Sequence, residues 1–133
     1  MRNDIYTEYN SKEYRTFKIK DGLFVLVSKD KQDLDNGFFP YEGDNSIYVK
    51  NVKRKELGDI NSIKTYADYK GRKYAVRTEK DDKILISEMS NGYYAENVLN
   101  MKRVGTMEYE MWVDKKDVER IYEEKKLVYT EEK

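Results

Sequence analysis

The chain has 133 residues, the size of one domain, and its 26 basic residues are balanced by 26 acidic ones. It contains no His and no Cys, which removes imidazole acid–base chemistry, Ser-His-Asp and Cys-His nucleophile systems, disulfides, and metal sites built from thiolates or imidazoles. Tyr occupies 13 positions, and a ring that carries a hydroxyl suits half-wet sheets and contact faces better than a dry core.

Residues 1–13 show no sustained pattern and are expected to fray. Residues 14–28 predict a hairpin: two β-prone runs, Tyr14 to Lys20 and Leu23 to Ser28, flank Asp21-Gly22, the dipeptide of a two-residue type I′ turn. Phe17 and Ile19 share one face of the first strand. The second, Leu-Phe-Val-Leu-Val, is apolar on both faces and is expected at the centre of a sheet.

Residues 29–46 hold two Gly, the only Pro and no periodicity, and read as one long loop of the kind that often carries function. From Asp30 to Ser46 there are five acids against one Lys, with Phe38, Phe39 and Tyr41 among them. Setting Gly37 at the sixth position of a calcium-binding loop places Gln32, Leu34 and Asn36 where ligands belong, so the segment is not an EF-hand; Asn36-Gly37 reads as a turn.

Ile47 to Val52 is expected to be a strand running into the basic patch Lys50, Lys53, Arg54 and Lys55. Residues 59–70 fit either a short helix capped by Asp59 or a strand from Ile63 to Tyr69, the reading we favour. Lys70-Gly71 and Asp81-Asp82 are turns that bound the strands Lys73 to Thr78 and Lys83 to Glu88. After a turn at Asn91-Gly92, strands are expected at Tyr93 to Met101 and Met107 to Val113, with Trp112 directed into the core. Asp114 then has the position of a helix N-cap, and Val118, Ile121 and Tyr122 form the apolar stripe of a helix from Lys115 to Lys126. Residues 130–133 are expected to fray.

The fold expected from these elements is mainly β with a C-terminal α-helix (α+β): an antiparallel curved sheet or partly open small barrel of six to eight strands in one domain spanning residues 1–133. No apolar run is longer than Leu23 to Val27, too short for a membrane span or a signal sequence, so a cytoplasmic protein is expected.

Catalysis would have to rest on carboxylates, alone or with Mg²⁺, and with 26 acids in the chain some pair is always available, so that signal has little weight; no enzyme activity, metal or cofactor is expected. The segment 29–46 carries the favoured functional reading. Asp33, Asp35, Glu42 and Asp44 would steer an encounter with a basic protein, and Phe38, Phe39 and Tyr41 would supply the buried contact. The alternative is a nucleic-acid-binding β-barrel that uses Tyr48 for stacking and Lys50, Lys53, Arg54 and Lys55 for phosphates. Lys70 to Arg77 departs from the RNA-recognition signature, having Arg72 and Arg77 where stacking aromatics belong.

In its second half, Tyr69-Lys-Gly-Arg-Lys-Tyr74 to Ile84-Leu-Ile86, then Trp112-Val-Asp114 and Asp117-Val-Glu-Arg-Ile-Tyr122, the chain resembles the small, acidic-patched, aromatic-rich immunity proteins that bacteria encode beside secreted polymorphic toxins. The resemblance implies a cytoplasmic protein whose partner is a basic toxin domain, neutralised when its active surface is covered.

Overall fold

A computed structural model describes residues 1–89 and 92–129. Its strands are β1 (Asp4–Tyr9), β2 (Lys12–Lys20), β3 (Leu23–Ser28), β4 (Phe39–Tyr41), β5 (Asp44–Lys53), β6 (Ile60–Tyr69), β7 (Arg72–Lys80), β8 (Lys83–Glu88), β9 (Lys102–Gly105), β10 (Glu108–Asp114) and β11 (Arg120–Tyr129). One short helix, α1 (Gly92–Asn97), precedes β9, and single 3-10 turns lie at Lys31–Asn36, Arg54–Glu56 and Lys115–Asp117. The chain divides into two compact units: an N-terminal one of Asp4–Ser62 with the chain from Lys125 onward, and a C-terminal one of Met1–Asn3 with Ile63–Glu124. Among the described residues no helix is long and apolar enough to cross a membrane.

The N-terminal unit orders its strands β4-β5-β3-β2-β1, each pair antiparallel. Side chains of a strand alternate between faces, and here one face is dry. Phe24 and Leu26 are fully buried beside Tyr14, Val52, Leu57 and Ile60, with Phe38 folded over them from the segment after β3. Each such apolar side chain contributes roughly 1.5–3 kcal/mol on burial.

The expected frayed start is instead β1: Thr7 is buried and its hydroxyl donates to the Asp59 carbonyl at 3.0 Å. Asn10 and Ser11 both take positive φ between the paired residues Tyr9 and Lys12, the geometry of a type I′ turn. Asp21-Gly22 does turn the chain between β2 and β3, but only Gly22 is left-handed and the register shifts between Lys18 and Lys20. The hairpin therefore closes with a bulge and not with the type I′ turn its dipeptide suggested.

The C-terminal unit runs β6-β7-β8-β10-β9, with β11 paired to β6. Where residues 59–70 fitted either helix or strand, the chain forms strand β6, with Ile63, Thr65, Ala67 and Tyr69 buried in alternation. The core beneath the sheet joins Ala67 and Tyr69 to Tyr74, Val76, Ile84, Ile86, Tyr109 and Val113. The turn expected at Lys70-Gly71 is present, and both of its residues have positive φ, the type I′ geometry that Asp21-Gly22 does not adopt.

Four expectations about the elements are corrected. Among the described residues the strands number eleven, not six to eight. The helix expected from Lys115 to Lys126 is a 3-10 turn followed by β11; the Asp68 carbonyl accepts from Glu119 N–H at 2.8 Å, drawing this charged segment alongside β6, and tertiary pairing overrides its helical charge pattern. The strand expected from Tyr93 to Met101 is α1 and its exit, which seat Ala95, Leu99 and Met101 in the core. Trp112 points outward, 45% exposed, because Tyr109 and Val113 take the inner face of β10. Asn91, of the expected Asn91-Gly92 turn, and residues 130–133 lie outside the described residues.

Gly92 starts α1 against the ring of Tyr109: a Cβ there would come within 2.6 Å of the phenol oxygen and 3.0 Å of Cζ. We expect Gly92→Ala to lower stability by about 1–3 kcal/mol through overpacking, read as a lower urea midpoint; an unchanged midpoint would show that the helix shifts without cost.

Candidate functional site

Residues 29–46 do not form a loose loop. The chain leaves β3 through the 3-10 turn Lys31–Asn36, passes a left-handed Gly37, and forms the edge strand β4 and the start of β5. The segment hangs on Asp33, whose side chain is fully buried. Its carboxylate accepts from the Tyr14 hydroxyl at 2.8 Å, the Ser28 hydroxyl at 2.6 Å, the Asn36 amide at 3.0 Å and the Lys12 ammonium at 3.0 Å. The Asp33 backbone carbonyl also accepts from the Phe38 N–H. Asp30 begins the turn, its carboxylate taking the Gln32 N–H at 2.9 Å and Lys12 at 3.0 Å.

A buried carboxylate survives when donors replace its water. Burial opposes the charge, but the bonds from Ser28, Asn36, Tyr14 and Lys12 outweigh it and hold the carboxyl well below its ordinary 3.8. Hydrogen bonds to Asp30 and then Asp33 keep Lys12 charged above its ordinary range. Burial first, and the Asp33 carboxylate second, push the Tyr14 phenol up to about 12.

This anchor separates the expected contact residues into two groups. Asp33 and Phe38 lie inside, Phe38 stacked on Tyr14 with ring centroids 5.1 Å apart, so in this conformation neither reaches a partner. Asp35, Phe39, Tyr41, Glu42 and Asp44 lie outside, with Phe39 and Tyr41 each 52% exposed. Asp44 takes the Ser46 N–H at 2.9 Å and hydroxyl at 2.6 Å, which fixes the entry to β5; these two bonds lower its carboxyl below the usual range.

Phe39 continues onto the uncovered face of the sheet. The register places Phe39 opposite Val49, Val49 opposite Val27, Val27 opposite Arg15 and Arg15 opposite Tyr6. Phe17 and Val25 form a neighbouring pair on this face, with the Arg15 guanidinium 5.9 Å from the Phe17 ring centroid. Val25 and Val27 are half-buried and Phe17 is exposed. A groove of about 510 Å³, lined in part by Tyr6, Glu13, Arg15, Val27 and Lys29, lies against the row. The exposed acids Glu8, Glu13, Glu42 and Asp44 belong to the strand ends and turns on the side where β3 exits. The whole forms an apolar strip crossed by Arg15, with a margin of acids among which Lys12 and Lys29 also lie, a mixture of apolar and polar groups found in contact surfaces. Sequence reasoning found Phe39 and Tyr41 but not Val25 and Val27, although the two-sided hydrophobicity of β3 was their signal.

The basic alternative does not assemble. Lys50 Nζ donates to the Tyr9 hydroxyl and the Asn36 carbonyl, each at 2.9 Å, on the opposite face of β5 from Lys53. Arg54 is buried, with its guanidinium on the Leu57 and Gly58 carbonyls. Tyr48 packs on the core, and Lys53 and Lys55 remain as exposed cations. Among the described residues no three acids converge as a metal site requires.

Asp33→Ala should cost about 3 kcal/mol, because it strands buried donors, and Tyr14→Phe about 1.5–3 kcal/mol; urea denaturation measures both. The Asp33 carboxyl titrates lower in the folded chain than in the unfolded one, so its contribution is complete above the ordinary 3.8 and is lost as pH falls toward the folded value. The Tyr14 contribution has the opposite sense: complete below the ordinary 10.0, it is lost as pH rises toward about 12. We expect the Asp33→Asn variant to show a flatter acid limb than the parent chain, and an identical limb would remove Asp33 from this role.

Comparison with the curated proteins and with the solved structures finds no match to this chain. A family model does match, over residues 1–130. The chain belongs to the family described as uncharacterised conserved protein UCP033725.

Proposed function

We propose that this chain is a binding protein, and that the uncovered face of its N-terminal sheet, led by Phe39 and Tyr41, covers a basic surface of a partner protein. The observation that carries the reading is the pairing of a buried, fully bonded Asp33 with two half-exposed aromatic rings only a few residues further along the chain. Fixing the segment in advance removes part of the ordering cost of binding. The rings then supply rigid apolar contact area, and Asp35, Glu42 and Asp44 supply a negative field that favours encounter with cations.

The resemblance to immunity proteins of polymorphic toxin systems supports a specific form of this reading. The chain would act in the cytoplasm without a cofactor, neutralising a basic toxin domain by occluding its active surface. Such a role needs geometry and charge and no reactive group, which accords with a chain that has neither His nor Cys.

The test is affinity measurement on the partner recovered by co-purification and identified by mass spectrometry. Phe39→Ala and Tyr41→Ala should each weaken binding by roughly 2 kcal/mol, about thirtyfold. Neutralising Asp35, Glu42 and Asp44 together should chiefly slow association and reduce its salt dependence. Unchanged affinity in the Phe39→Ala, Tyr41→Ala double variant would remove this face from the reading.

A further inference from the structure

The C-terminal unit has a depression of its own on the face of its sheet opposite the core. One cross-strand row runs Tyr66–Ala75–Ser87–Glu110 over β6, β7, β8 and β10. The two central residues are small, so the sheet surface drops between larger neighbours. The resulting cavity has a volume of about 620 Å³, within the range of small-molecule sites.

Its rim is cationic. Lys64, Lys73 and Arg77 all line it, with Met89 and the Ser87 side chain. Arg77 owes its place to a β-bulge: the β7–β8 register shifts between Val76 and Thr78, leaving Arg77 as the extra residue. Bulges commonly re-aim a side chain beside a site.

The carboxylates nearby do not cancel this charge. Glu88 lines the cavity but is held by Arg72 at 3.1 Å. Glu124 meets Lys73 at 2.9 Å and Glu110 meets Arg77 at 3.6 Å, both cations being about half exposed. Exposed pairs of this kind are worth about 0–1 kcal/mol, so an incoming anion displaces them at small cost. Lys64 has no ion-pair partner among the described residues.

We propose that this depression binds a small phosphomonoester with a compact apolar body. A phosphate carries about −1.5 to −2 charges at neutral pH and strong acceptor oxygens, which matches a rim of two ammonium groups and a guanidinium better than the single charge of a carboxylate. The Ser87 hydroxyl offers a further donor from the floor, and Ala75 and Met89 provide apolar contact for the body of the ligand. This site lies wholly within the C-terminal unit and does not depend on the protein-binding face.

The probe is phenyl phosphate, titrated into the full chain and followed by amide chemical shifts. Inorganic phosphate, benzoate and benzyl alcohol serve as the other arms. Phenyl phosphate should saturate, with its largest shifts at Ala75, Ser87 and their strand neighbours. Phosphate and benzoate should bind more weakly, and benzyl alcohol should not saturate. Lys64→Gln and Arg77→Gln alter exposed side chains and should each weaken phenyl phosphate by about tenfold, with the spectrum of the free protein otherwise unchanged. The proposal is overturned if phenyl phosphate does not saturate below about 10 mM, if benzoate or benzyl alcohol binds as well, or if the Lys64→Gln, Arg77→Gln double variant keeps the parent affinity.

Discussion

The buried Asp33 carboxylate is the interaction on which the N-terminal unit turns. It joins Lys12 and Tyr14 of β2, Ser28 at the end of β3 and Asn36 of the following 3-10 turn. Ordering a connection costs roughly 1–2 kcal/mol of entropy per residue, and here the cost is met by directional bonds to an ion instead of by apolar burial alone. An ion in this position also selects one geometry, since a shifted turn would leave both charge and donors unpaired. With the turn fixed, Phe38 has one place to go, over Tyr14, and Phe39 is left on the other side of the chain.

Each unit is a sheet with one dry face and one wet face, and the wet faces differ in chemistry. In the N-terminal unit the wet face keeps Val25, Val27, Val49 and Phe39 in adjacent register, with acids at the strand ends. In the C-terminal unit the wet face is hollowed at Ala75 and Ser87 and carries Lys64, Lys73 and Arg77. A chain with balanced charge overall can thus present regions of opposite sign, a distribution invisible in the composition.

Local turn chemistry and period-two alternation made much of the β structure legible in the sequence. The hairpin from Tyr14 to Ser28, the turns at Lys70-Gly71 and Asp81-Asp82 and the strand Lys83–Glu88 all lie where their residues indicate. The outward Trp112 was also legible in retrospect. Glu108, Glu110 and Asp114 share its parity on β10, and three acids set the wet face more firmly than one indole sets the dry one. The C-terminal strand was not legible, because Arg120 to Lys126 has helical spacing and charge, and its pairing with β6, together with the bonds of Glu119 and Arg120 to Asp68, far away in sequence, decides against it. The candidate site was half legible. Exposed Phe39 and Tyr41 stood out by composition, whereas burial of Asp33 required the donors at Lys12, Tyr14 and Ser28, which no local pattern brings together.

Strand β4 has three residues, with Pro40 in the middle and opposite Tyr48. Proline has no N–H to offer, and so short an edge gives an incoming strand little to pair with. An apolar sheet face beside an open edge would ordinarily invite copies of the same chain to stack and extend into a fibre. Pro40 opposes that extension while leaving the side chains of the face exposed, so the edge is blunted although the face beside it is not covered.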